Sequence, residues 1–226
     1  MRYGLGPASS PGAAVAELSI GVTGATVEVY AAVPTIMFGL RLHEATGATV
    51  HAIALHTQVR IEPQRRRYQP TEQQKLLEMF GETAQWGDSL RPFLWTHVDT
   101  TVGGFVGESS TELPMVCTYD FEVAGAKYLH ALEDGEIPLV FLFSGTVFTK
   151  GASGFAVELV PWHLESRYRL PVRVWRETMD AYFPNSGWLR LSRQTIDRLQ
   201  RFKATRALPT WEQAMEALLK EAGEDR

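Results

Sequence analysis

His51-Ala-Ile-Ala-Leu-His-Thr-Gln-Val-Arg-Ile61 sets Ile53, Leu55, Val59 and Ile61 on one face of an extended chain and His56, Gln58 and Arg60 on the other. Side chains alternate across a strand, so this stretch reads as a strand with one face in a core and one in water. The run before it repeats the pattern: Ile36, Phe38, Leu40 and Leu42 share a face, with Arg41 and His43 opposite. Between them, Ala45-Thr-Gly-Ala48 carries a glycine suited to the positive φ of a tight turn, so the two runs are expected to form a hairpin.

Outward from this pair the chain stays rich in β signals. Further strands are expected at Phe93–Val102, Val116–Val123, Pro138–Phe148 and Phe155–Val160, parted by glycine-rich segments around Gly103 and Gly151. A parallel sheet would need a helix at nearly every crossover, and here only one clear helix interrupts the strands. It follows Pro70, where Thr71 and Gln74 have capping-box spacing, packs Leu76, Leu77 and Phe80 inward, and ends at Gly81. A turn or two of helix is expected at Ala124–Leu132. The fold class is therefore α+β, mostly β: an antiparallel β-sandwich, Ig-like in outline, with a C-terminal helical unit.

That unit begins near Pro171. Val174, Trp175, Met179 and Phe183 recur at helical spacing, Ser192 heads a helix with Ile196, Leu199 and Phe202 on one side, and Thr210 heads a last helix carrying Trp211, Met215 and Leu218. The expected layout is a disordered tail at 1–14, rich in Gly, Pro, Ser and Ala and without apolar periodicity, a sandwich domain at 15–170 and a helical subdomain at 171–226 packed on it.

Composition narrows the function classes. The chain of 226 residues is 45% hydrophobic and 21% charged, enough apolar material for a core. Its longest strongly apolar run, Leu139–Phe143, falls far short of the about 20 residues that cross a bilayer, so neither a membrane span nor an export leader is expected. A net charge of -4 removes the global electrostatic reason to bind nucleic acid. Cys117 is the one cysteine, which excludes an intrachain disulfide and a thiolate metal cluster and suits the cytoplasm. It lies in an apolar run, where a thiol stays protonated and packs as core.

The densest charge cluster is Arg65-Arg66-Arg67, just after Arg60 and held between Pro63 and Pro70. Guanidinium groups offer rigid paired donors to carboxylates and phosphates, so these four arginines are the first candidate docking edge; the competing reading has them satisfying Glu62 and Glu72. A second basic stripe, Arg193, Arg198 and Arg201, lies opposite the apolar side of its helix, facing an acidic last helix that can neutralise it. Among six histidines, none has metalloprotease spacing, but His56, His97 and Asp99 can meet across neighbouring strands. Ser144 lacks the glycine that a nucleophile elbow requires, and no glycine-rich loop is followed by the Lys-Ser/Thr of a phosphate cradle. No cofactor or metal is expected on the first reading.

Several longer blocks carry a resemblance: Tyr30-Ala-Ala-Val-Pro-Thr-Ile-Met-Phe-Gly-Leu-Arg41, Val50 through Tyr68, Cys117-Thr-Tyr-Asp120, Lys127-Tyr-Leu-His-Ala-Leu132 through Phe143-Ser-Gly-Thr-Val-Phe148, and Phe183-Pro-Asn-Ser-Gly-Trp-Leu-Arg-Leu191. From about residue 17 to 220 the chain resembles an uncharacterised actinobacterial family, a domain of unknown function often encoded beside nickel-iron hydrogenase genes. The resemblance implies an accessory or assembly role and a protein partner such as a hydrogenase subunit or maturation factor. It assigns no catalytic or metal residue, and one cysteine cannot make this chain the subunit that ligates nickel and iron. The expected function is a non-catalytic protein-binding module. The alternatives are a metal-dependent or small-molecule-binding enzyme using His56, His97 and Asp99, and an oligomer built by edge-strand pairing.

Overall fold

The computed structural model describes residues 17–118, 120, 123–151, 154–187 and 189–224. The tail expected at 1–14 and Trp188 lie outside the described residues. The chain divides into two compact units, one ending at Gly187 and one following it.

The first unit runs β1 (Leu18–Glu28), β2 (Thr35–Glu44), β3 (Thr49–Ile61), α1 (Pro70–Phe80), α2 (Trp86–Ser89), β4 (Phe93–Val102), β5 (Phe105–Val106), β6 (Glu108–Val116), α3 (Ala124–Ala131), β7 (Glu136–Gly151), β8 (Gly154–Leu159), β9 (Glu165–Pro171) and α4 (Val172–Tyr182). One sheet has the order β1-β2-β6. The other has β4-β3-β7-β8, with β5 also beside β3 and β9 also beside β7. Every pairing is antiparallel. The inner faces meet where Phe38 of β2 stands edge-on to Phe141 of β7 at 5.1 Å and to Tyr168 of β9 at 5.9 Å. This is the antiparallel β-sandwich read from the alternation, and Ile36, Phe38, Leu40, Leu42, Ile53, Leu55, Val59 and Ile61 are all buried in its core.

The expected hairpin is a correction. β2 pairs with β1 and β6, whereas β3 pairs with β4, β5 and β7, so residues 45–48 carry the chain from one sheet to the other. Gly47 does take a positive φ of 77°. Alternation shows that a strand has a buried face but not which neighbour it will pair with. The corner is held by the buried Glu44 carboxylate, which accepts from Thr46 N at 3.0 Å, Thr46 Oγ1 at 2.6 Å, Ala48 N at 2.8 Å and Glu17 N at 3.3 Å.

Other boundaries move for local reasons. The strand expected at Val116–Val123, of which 119, 121 and 122 lie outside the described residues, gives way to β6, which ends at Val116; half-buried Ser109 and Thr111, on the same face as buried Leu113 and Met115, interrupt the apolar alternation that marks a strand. Helix α1 is capped by Gln69 rather than Thr71, because Pro70 takes the first helical position and Glu72 then reaches back to Gln69 N at 3.0 Å. Thr71 instead donates to Glu133 at 2.8 Å. Leu76 and Phe80 are buried as expected, but Leu77 faces outward.

Helix α4 sits in the first unit, with Val172, Val174, Trp175 and Met179 in the sandwich core, so the expected boundary at 171 falls inside that unit. The second unit comprises α5 (Arg193–Thr205) and α6 (Trp211–Ala222). Ser192 Oγ accepts from Thr195 N at 3.2 Å and Thr210 Oγ1 from Gln213 N at 3.1 Å, which supplies both N-caps read from the sequence.

Candidate functional site

The arginine cluster lies where β3 ends. Pro63 opens a 3-10 turn, Pro63–Arg65, in which Arg65 N donates to Glu62 O at 3.0 Å, and the chain then extends to the cap of α1. Beside it, α3 gives way to β7 around Asp134 and Gly135. Together these segments border an open cleft of about 660 Å³ lined by Arg65, Arg66, Arg67 and Arg169 and by Glu72, Glu133, Asp134 and Glu136. With four cations against four carboxylates, the cleft's affinity depends on which charges are already paired.

Arg66 is committed to the fold. It pairs with the buried Glu72, donates to Glu136 O at 2.9 Å and Asp134 O at 2.7 Å, and lies 5.5 Å over the Tyr68 ring. Glu72 also accepts from Glu133 N at 2.8 Å, so one ion pair ties α1 to the α3–β7 connection. Below it Tyr68 Oη donates to Pro63 O at 2.8 Å and takes a bond from Tyr128 Oη at 2.8 Å. Burial pushes the Tyr68 hydroxyl up to about 12, and Tyr128, deeper still, also upward, so both remain neutral donors.

Arg65 meets Glu62 at 3.0 Å but is half exposed. Arg169 stands 3.6 Å from Glu136. Lys75 pairs with Glu133 at 2.9 Å. Arg67 is exposed and makes no ion pair among the described residues; Asp134 makes none either. Arg60 does not line the cleft: its guanidinium turns toward β4 and donates to Pro92 O at 3.3 Å. The expectation that these arginines satisfy Glu62 and Glu72 thus holds for Arg65 and Arg66, with both carboxylates buried rather than at the surface.

Arg169 was missed with its strand. The signal was present in Glu165-Ser-Arg-Tyr-Arg-Leu170, where Tyr168 and Leu170 alternate with Glu165, Arg167 and Arg169. Two exposed aromatics were also missed as surface features: Tyr30, 95% exposed, and Trp162, 91% exposed. Tyr30 stands on a braced loop, since Tyr182 Oη contacts Glu28 O at 2.8 Å and Ala31 O at 2.7 Å, and Tyr30 N donates to Glu28 at 2.9 Å.

On α5, Arg193, Arg198 and Arg201 are exposed and make no ion pair among the described residues, while Arg206 pairs with Glu221 of α6. The histidine constellation does assemble. His56 Nδ1 lies 2.7 Å from Asp99 Oδ1, and His97 stacks on His56 with centroids 5.2 Å apart. They occupy the open face of the β3–β4 pair. Ser144, opposite His56 on β7, directs its hydroxyl at the His56 carbonyl oxygen at 3.5 Å, so no Ser–His pair forms there. Among the described residues no three His, Cys, Asp or Glu side chains form a metal-binding set. Cys117 is buried and burial pushes its thiol up to about 12, as expected of a core cysteine.

Fold and site together define a β-sandwich domain with a charged surface cleft and a separate pair of helices, and no helix among the described residues is long and apolar enough to cross a membrane. The chain belongs to a family of unknown function, DUF6084, whose model matches residues 15–226. No curated protein matches it. Among solved structures, it is similar to the CARDB domain of a Pyrococcus furiosus protein in complex with di-metal ions, at 9% identity and a TM-score of 0.29 over 70% of this chain and 93% of that one. It is also similar to the beta-glucosidase of Kluyveromyces marxianus, at 8% identity and a TM-score of 0.25 over 68% of this chain and 15% of that one. At these scores neither neighbour's chemistry bears on this chain.

Proposed function

We propose that the chain is a non-catalytic protein-binding or assembly module that docks an acidic segment of a partner protein at the cleft beside α1. The observation that carries this reading is Arg67, an exposed guanidinium without an ion pair among the described residues, on the rim of a cleft whose base is held rigid by Arg66 and Glu72. A fixed backbone lowers the ordering cost of docking, and a guanidinium pairs with a carboxylate through two parallel hydrogen bonds. Outside the cleft lining, Tyr30 and Trp162 are exposed aromatics of the kind that protein interfaces use. The resemblance names the partners to try first, a hydrogenase subunit or maturation factor, and a lone cysteine suits action in the cytoplasm. Against the enzyme alternative stands the setting of His56, His97 and Asp99 on an open sheet face.

The test begins with affinity capture from the native host, followed by titration of the purified partner against wild type and Arg67→Glu. The reversal should weaken binding about tenfold or more, since one charge-assisted pair becomes a repulsion, and should flatten the salt dependence. Stability should stay within about 0.5 kcal/mol of wild type, because Arg67 holds nothing in the fold. Unchanged affinity in Arg67→Glu removes the cleft from the account.

A further inference from the structure

We propose that His56 and His97 form a surface site for a divalent transition-metal ion, with Asp99 as the positioning residue. It shares no residue with the docking cleft and does not depend on it. In the β3–β4 register His56 faces Asp99 and Gln58 faces His97, so His97 is the diagonal neighbour of His56 on the solvent side. A carboxylate can only accept, so the 2.7 Å contact with Asp99 Oδ1 puts the proton on His56 Nδ1 and leaves the Nε2 lone pair pointing away. A carboxylate behind an imidazole is the arrangement that orients metal-bound histidines and raises their basicity. The His97 ring lies nearly parallel to His56, 21° off and 5.2 Å away. Neither His56 Nε2 nor the His97 ring has a hydrogen-bond partner among the described residues.

Two imidazole nitrogens on one ion each sit about 2.0–2.1 Å from it. Nearly parallel rings do not aim both nitrogens at one ion, so the site requires the exposed His97 side chain to rotate out of the stack, while His56 stands on a central strand between β4 and β7. The chemistry selects the ion class: imidazole favours Zn²⁺ and Cu²⁺ over Mg²⁺ and Ca²⁺. With two protein ligands the ion keeps open positions for water or for a donor from another molecule.

The test titrates Zn²⁺ into the untagged, chelator-treated full chain. One saturable equivalent is expected, unaffected by excess Mg²⁺. His56→Ala and His97→Ala should each weaken it about tenfold or more, and Asp99→Asn about 10–100-fold, whereas His163→Ala should leave it unchanged. Nitrogen NMR of the imidazoles should find His56 as the Nδ1–H tautomer in wild type and a mixture in Asp99→Asn, a readout that mere structural support would not move. All three side chains are exposed, so the variants should fold normally. Zn²⁺ affinity that survives in the His56→Ala, His97→Ala double variant, or the absence of saturable binding at millimolar Zn²⁺, overturns the proposal.

Discussion

Arg66 lies against Glu72 with both side chains almost wholly out of water, 7% and 1% exposed, and through its other donors it joins α1 to the start of β7. One arginine in a run of three is therefore part of the core's polar frame, while its neighbour Arg67 faces solvent. Truncating one member of such a pair leaves the other charge buried and uncompensated, which costs about 3–5 kcal/mol. Arg66→Met should lower the urea midpoint by a corresponding amount, while Arg67→Met should scarcely move it. Equal small effects at both positions would mean that Arg66 is not structural.

The corner between the sheets should be acid-sensitive. Burial acting alone would raise the Glu44 carboxyl, but the bonds from Thr46, Ala48 and Glu17 outweigh it and hold the group below its usual 4.5. A carboxyl lowered in the fold stabilises above its unfolded value and loses that contribution as pH falls through the folded one. Glu44→Gln should thus be less stable than wild type by about 1–3 kcal/mol at pH 7, and thermal melts should show the gap closing as the pH drops below about 4.5.

Cys117 should resist modification. Its thiol is buried and pushed up to about 12, so thiolate is scarce at neutral pH and the sulfur is screened from reagents. Labelling with a disulfide reagent at pH 8 should be slow in the folded chain and should accelerate by orders of magnitude in denaturing urea. Fast labelling without urea would place Cys117 outside the core.

Gly145 should tolerate no side chain. It takes φ 137°, and a Cβ there would stand 2.1 Å from Ala54 O on the adjoining strand β3. Because the obstacle is backbone, neither a rotamer change nor a small shift relieves it, and Gly145→Ala should cost about 3 kcal/mol or more. Chemical denaturation checks this, with Gly87→Ala, where a Cβ meets nothing within 4 Å, as the comparison.

What the sequence by itself determined is local. Alternation at Ile36–Leu42 and Ile53–Ile61 established two strands and their buried faces, Ser192 and Thr210 marked two helix starts, and the meeting of His56 with Asp99 was legible because strand geometry sends both to one side. Only the tertiary structure decided that β2 and β3 belong to different sheets, that Arg66 turns inward onto Glu72 while Arg67 does not, and that Arg169 of β9 joins them. The physical reason is range. Periodicity and capping depend on residues a few places apart, whereas strand partners and buried ion pairs depend on which distant segments share a core, and neighbouring identical arginines carry no local mark of that choice.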